Sequence, residues 1–248
     1  MKIAQAGTGG PVVVFEAGAG DGMESWAKVF PETATFTTAF AYSRRGYGFS
    51  LPVWSRRGGG TIVEELRGAL AARGLRPPYI LVGHSIGGLY MQLFAKLHPE
   101  DVAGAVLVDT THPDQLERMK SERPGNYALV QTAMKLNAAK TLGAEMRDLE
   151  ETAREWHEAG SFPARPMILL SAGRANALDG AGFPEFMQRL HADIVAAWPG
   201  AERRVVDDST HYIQRQRPEA VVGAIRELVD RFREEETLRI ESLGPRTE

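Results

Sequence analysis

Short, almost uninterrupted apolar runs recur along this 248-residue chain, and they constrain its fold more than any other feature. "PVVVFEAG" (residues 11–18), "YILVG" (79–83), "GAVLVD" (104–109) and "PMILLSAG" (166–173) are dominated by Val, Ile and Leu. Such runs are expected of parallel strands covered on both faces. "TAFAYS" (38–43) and "ERRVVDD" (202–208) add two more strand-like segments, and the N-terminus reads as strand, turn, strand. Amphipathic segments lie between them. "TIVEELRGALAARG" opens with Thr61 and Glu64 at capping-box spacing and closes on Gly74, a suitable residue just past a helix end. Residues 86–97 form a second helical segment, stopped by Pro99. "FPEFMQRLHADIVAAWPG" and "RPEAVVGAIRELVDRFREEE" carry apolar residues at helical spacing. Alternating strands and helices predict an α/β fold: a mostly parallel sheet flanked by helices on both faces.

Residues 113–162 break that rhythm. They are helical in composition, hold no strand-like run and lie between two core strands. The expectation is a core made of residues 1–112 and 163–248, with 113–162 inserted as a small helical cap over the site. The dense charge of "EMRDLEETAREWHE" predicts a solvated helix face, and the charged tail "EEETLRIESLGPRTE" is expected to fray. A net charge of −3 gives no basic footprint for nucleic acid. The absence of cysteine excludes disulfides and thiolate chemistry. No apolar run approaches the ~20 residues of a membrane span, so a cytoplasmic protein is expected. His and carboxylates are not clustered at ligand spacing, and neither a metal nor a cofactor is implied.

The chemistry gathers around "LVGHSIGGLY". Ser85 lies between Gly83 and Gly87, after a strand-like run and before a helix-like one. That context is the nucleophile elbow, a tight turn whose neighbours must be small and whose serine stands at a helix N-terminus. A serine hydroxyl needs a base to become a nucleophile. Of the six histidines, His84 is turned away by elbow geometry and is expected to pack beneath the turn. His98 sits at a helix end, and His157 and His191 lie in helical segments. His211 follows the last strand in a short loop, where it can return to the serine. It is the preferred base, with His112 second.

These segments together resemble the α/β-hydrolase superfamily over nearly the whole chain. "VGHSIGG" is similar to its elbow, and "THYIQRQRPEAV" to the loop of its catalytic histidine. "FEAGAGDGMESW" lies where members carry a His-Gly oxyanion loop followed by a tryptophan; Trp26 fits, whereas Ala17 replaces the histidine. "YSRRGYGFS" resembles the Asp-x-x-Gly-x-Gly-x-Ser loop with Ser43 in place of aspartate. The resemblance implies an eight-stranded, mostly parallel sheet, of which the first strand is open to being absent here. It implies backbone N–H groups of Ile86 and Ala19 as oxyanion donors. It places the acid three residues beyond Gly173, where this chain has Asn176. Two carboxylates are candidates instead: Asp109, ending a buried strand within "VDTTHPDQ", a stretch similar to one in a subgroup of small hydrolases, and Asp179, three residues beyond Asn176. Asp109 is preferred. Its alternative role is to cap the following turn.

Serine at the elbow implies acyl transfer, since the family's dehalogenases and epoxide hydrolases use aspartate there. Carboxylic esters are the expected substrates, with lactones, thioesters and carbon–carbon cleavage as alternatives. A non-catalytic binding role is the remaining reading. Tyr127, Met134 and Tyr212 are candidate pocket residues, as are Met119, Leu129, Val130, Leu136 and Thr110, although most of the apolar ones are expected simply to pack the helices of 113–162 onto the core.

Overall fold

Chain order in the computed structural model, which describes residues 1–47, 57–136, 141–177 and 179–242, alternates strand and helix as the apolar runs predict. The elements are β1 (Lys2–Ala6), β2 (Val12–Glu16), α1 (Phe30–Thr33), β3 (Ala39–Ser43), α2 (Gly59–Ala72), β4 (Tyr79–His84), α3 (Ile86–Leu97) and β5 (Val102–Val108). Four helices follow: α4 (Gln115–Glu122), α5 (Pro124–Leu136), α6 (Thr141–Arg147) and α7 (Leu149–Glu158). The chain then runs through β6 (Met167–Ala172), α8 (Phe183–Ala197), β7 (Ala201–Val206), α9 (Ile213–Gln216) and α10 (Pro218–Ser242).

The strands form one sheet ordered β1-β3-β2-β4-β5-β6-β7. Only β1 runs antiparallel, against β3; every other pairing is parallel. The described residues thus carry seven of the eight strands the family resemblance implies. Strands β2 to β6 are buried at every position, which is why their sequences lack alternation. Their side chains still alternate between faces. Val12 and Val14 pack with Leu66 of α2 and Leu93 of α3, whereas Val13 and Phe15 pack with Ile225 and Leu228 of α10. The edge strands β1 and β7 are largely wet, matching their polar residues.

Three local expectations need correction. Helix α2 begins at Gly59 rather than at a Thr61 capping box. Its first N–H groups, Gly59 and Gly60, donate to Thr152 Oγ1 and Glu155 Oε2 of α7, each at 2.9 Å, so its N-terminus is capped from another helix. Second, the charged face of α6 and α7 is not uniformly solvated: Glu145, Asp148 and Thr152 are buried. Third, the charged tail continues α10 to Ser242, while residues 243–248 lie outside the described residues. The end of "YSRRGYGFS", from Gly48 onward, also lies outside them. Among the described residues, no helix is long and apolar enough to cross a membrane.

Candidate active site

The parallel arrangement aims the C-terminal ends of β4 and β5 in one direction, and the candidate residues sit just beyond those ends. Ser85 lies between β4 and α3 with φ +54°, and Asp109 directly follows β5 with φ +41°. These are the two non-glycine residues with positive φ among those described. Backbone hydrogen bonds hold both turns. Ser85 N–H donates to Val108 O at 3.1 Å, and Asp109 N–H donates to Leu170 O at 2.8 Å. The elbow glycines meet backbone where any side chain would sit. A Cβ on Gly87 would lie 2.5 Å from Ala17 O, and one on Gly83 would lie 2.6 Å from Gly88 Cα.

His211, between β7 and α9, reaches Asp109. Its Nδ1 lies 2.7 Å from Asp109 Oδ2. The other carboxylate oxygen accepts the Ala172 N–H at 2.9 Å. Burial raises the Asp109 pKa, but the hydrogen bond and charge of His211 outweigh it and hold the carboxyl at about 2. Burial likewise disfavours charged His211, yet the Asp109 hydrogen bond and charge win, and its pKa is raised above the ordinary value. With Nδ1–H donated to the carboxylate, a neutral His211 ring presents Nε2 as a bare acceptor.

His84 lies beneath the turn, buried, with its ring centroid 4.6 Å from that of His211. Its Nε2 lies 3.0 Å from the His211 carbonyl, which can only accept, so this nitrogen carries the proton. Burial lowers the His84 pKa to about 3, so the ring is neutral. His112, the second candidate base, instead accepts the Asp114 N–H at Nδ1 and is held neutral by burial, with a pKa lowered to about 4. His191 lies in α8. It is buried, hydrogen-bonded through Nδ1 to Ser171 Oγ at 2.8 Å and through Nε2 to Thr110 O at 2.9 Å. It thereby holds the turn that displays Asp109, a role with no local sequence signal.

Ser85, Asp109 and His211 line one cavity of about 200 Å³. Its apolar wall includes Met119, Leu129 and Val130 from α4 and α5, and Phe183 and Met187 from α8. Tyr127, Met134 and Tyr212 are not part of this lining. Tyr127 packs against the cluster of Met119, Phe186, Met187 and Leu190, and Tyr212 lies against the rings of His84 and His211. Core packing thus claims the Tyr127 ring, whereas the half-buried Tyr212 ring sits beside the His211 ring rather than in the cavity wall. Leu136 is exposed. Asp179 and Asn176 do reach the cavity, but Asp179 Oδ2 accepts the Asn176 N–H at 2.7 Å, closing a turn of its own.

Two backbone segments adjoin the serine. Ile86 is the first residue of α3, so its N–H is left free by helix geometry. The loop containing Ala19 passes close by, since a Cβ on Gly18 would lie 3.3 Å from Ser85 Cβ. His98, Glu100 and Asp101 are close enough together to hold an ion, but His98 already pairs with Glu64 and Asp101 with Arg67, at the opposite end of β5 from Asp109.

Residues 13–224 match the family described as "Alpha/beta hydrolase family". The uncharacterized protein YqjL of Bacillus subtilis (strain 168) is 26% identical over 228 residues, covering 88% of this chain and 83% of its own length. An esterase from Thermogutta terrifontis, solved with malate bound, superposes with a TM-score of 0.60 at 21% identity, covering 93% of both chains. The AqdC variant solved for recognition and ring-cleavage of the Pseudomonas quinolone signal superposes at 0.68 with 17% identity, covering 92% of this chain and 94% of its own.

Proposed function

Because the chain belongs to the alpha/beta hydrolase family, we propose that it is a serine hydrolase that cleaves small carboxylic esters through an acyl-enzyme. The observation that carries this reading is the 2.7 Å His211–Asp109 hydrogen bond at a cavity that Ser85 also lines. Ser85 Oγ attacks the ester carbonyl while His211 Nε2 takes its proton. Negative charge gathers on the carbonyl oxygen, which accepts from the N–H groups of Ile86 and Ala19. Such a donor stabilises the transition state by about 3 kcal/mol. The tetrahedral intermediate collapses, and the alkoxide leaves with the proton held by His211. Water then attacks the acyl-enzyme with His211 as base again, regenerating Ser85 and releasing the acid. Asp109 keeps the ring in the correct tautomer and balances the imidazolium. The helices of residues 113–162 act as a cap, with Met119, Leu129 and Val130 against the acyl group. A volume of about 200 Å³ favours short acyl chains.

The same machinery opens lactones, cleaves thioesters and breaks carbon–carbon bonds; the esterase and ring-cleaving structural neighbours span part of that range. The test is hydrolysis of p-nitrophenyl acetate and butyrate, with Ser85→Ala as control and mass spectrometry of phosphonate-labelled protein. Turnover that vanishes in Ser85→Ala, together with a label on Ser85, is the expected result. An intact protein that neither turns over any acyl length nor takes the label would favour the binding reading instead.

A further inference from the structure

A cluster of buried charges behind the glycine-rich loop has no part in the acyl-transfer steps. Arg44, Glu16 and Glu145 are each at most 1% exposed. Ions so placed are costly unless their hydrogen-bonding capacity is filled. Arg44 fills all of its own. Its Nη1 donates to Glu16 Oε1 and to Ala17 O, both at 2.6 Å. Its Nη2 donates to Gly18 O and to Glu145 Oε2, both at 2.9 Å. Its Nε donates to Glu145 Oε1 at 2.7 Å. Tyr47 Oη donates to the same Glu145 carboxylate at 2.7 Å and accepts the Gly20 N–H at 3.3 Å.

We propose that Glu145, carried by α6, is a positioning residue for the oxyanion hole, acting through Arg44 and Tyr47 on the loop that bears the Ala19 N–H. The physical link is the peptide plane. Gly18 C=O and Ala19 N–H belong to one planar trans amide and point in opposite directions. Holding Gly18 O on Arg44 therefore aims the Ala19 N–H. Tyr47 fixes the next N–H along, that of Gly20. Glu145 orients both agents at once, because its carboxylate takes two donors of the Arg44 fork and the Tyr47 hydroxyl. Without it, Arg44 keeps Glu16, Ala17 O and Gly18 O as acceptors but loses the paired carboxylate that fixes the plane of its fork. A residue that does not line the cavity thus sets the aim of a donor that does the stabilising.

This inference rests on the proposed serine hydrolase reading and on Ala19 as a donor. It is tested with Glu145→Gln, which keeps shape and removes charge, and with Tyr47→Phe, which removes one hydroxyl. For each protein, kcat and KM on p-nitrophenyl butyrate are normalised to active sites counted with a fluorophosphonate. Inhibition by a trifluoromethyl ketone, whose serine adduct places an oxyanion in the hole, is measured alongside. Glu145→Gln is expected to lower kcat per active site about 10–100-fold, short of the ~10²–10³ lost with a whole donor. KM is expected to hold, and the inhibition constant to rise by the same factor as kcat falls. Tyr47→Phe shifts both in the same direction by less. A merely structural role would reduce the number of active sites or the melting temperature, leaving kcat per site and the inhibition constant unchanged, and that result overturns the proposal. Should Glu145→Gln fail to fold, Glu145→Asp and Tyr47→Phe carry the same comparison. A wild-type protein inert to both ester and fluorophosphonate sinks the functional reading and this one with it. An active wild type with unaltered inhibition in the variants sinks only the role of Glu145.

Discussion

Two carboxylates reach the cavity, and what separates them is what each already holds. Asp109 spends one oxygen on His211 and the other on the Ala172 N–H, whereas Asp179 is engaged by its own turn at Asn176. Asp109→Asn would present an amide to His211 and favour the wrong tautomer, so kcat should fall by about 10⁴-fold. Asp179→Asn should leave kcat close to wild type. Steady-state kinetics of the two variants decide between them, and the reverse pattern would reassign the acid. The same pair sets the pH dependence. His211 must be neutral to act as base, and Asp109 raises its pKa above the ordinary 6.5. Activity should therefore rise with pH through an apparent pKa above 6.5. In a pH profile of kcat/KM, Asp109→Asn should move that limb downward, because burial, which disfavours the charged ring, is then less opposed.

At the scale of elements, the site depends on how closely α3 approaches the end of β2. Gly87 lies in the first turn of α3, where a Cβ would meet Ala17 O at 2.5 Å and Glu16 O at 2.6 Å. Both neighbours are backbone of a fully buried segment and have little room to yield. Gly87→Ala should destabilise the protein by about 1–3 kcal/mol, as overpacking does. It should also displace the Ala19 loop from Ser85. Urea unfolding measures the first effect and kcat per active site the second; a variant as stable as wild type would show that the contact relaxes freely. The helices between β5 and β6 are coupled to the core through polar contacts as well as apolar ones. Helix α7 caps α2 through Thr152 and Glu155, and α6 sends Glu145 into the Arg44 cluster.

Across the whole molecule, what could be read from the sequence is what is local. Buried parallel strands announce themselves as apolar runs. The elbow announces itself by glycines around a serine between strand and helix. Asp109 stood out as a carboxylate at the C-terminal end of the buried run "GAVLVD", where α/β sites gather, although a turn cap would place an aspartate there too. Contacts that close over long stretches of chain were not legible. Arg44 and Glu145 are 101 residues apart, and a run such as "EMRDLEE" looks solvated because nothing in it reveals which charge has a buried partner. His191 and the cross-helix cap of α2 were missed for the same reason. The pocket side chains suffered from a related ambiguity, since an aromatic at helical spacing serves a core as readily as a cavity, and for Tyr127 the core took it.

The positive φ at Ser85 has a consequence for stability that runs against activity. A side chain in that conformation costs of order 1–3 kcal/mol, which glycine avoids. Ser85→Gly should therefore be more stable than wild type by about 1 kcal/mol while hydrolysing nothing, a difference visible as a raised melting temperature. If it melts lower, the turn is not strained by its serine. A survey that ranked variants of this protein by heat resistance alone would favour the one that lacks the proposed nucleophile.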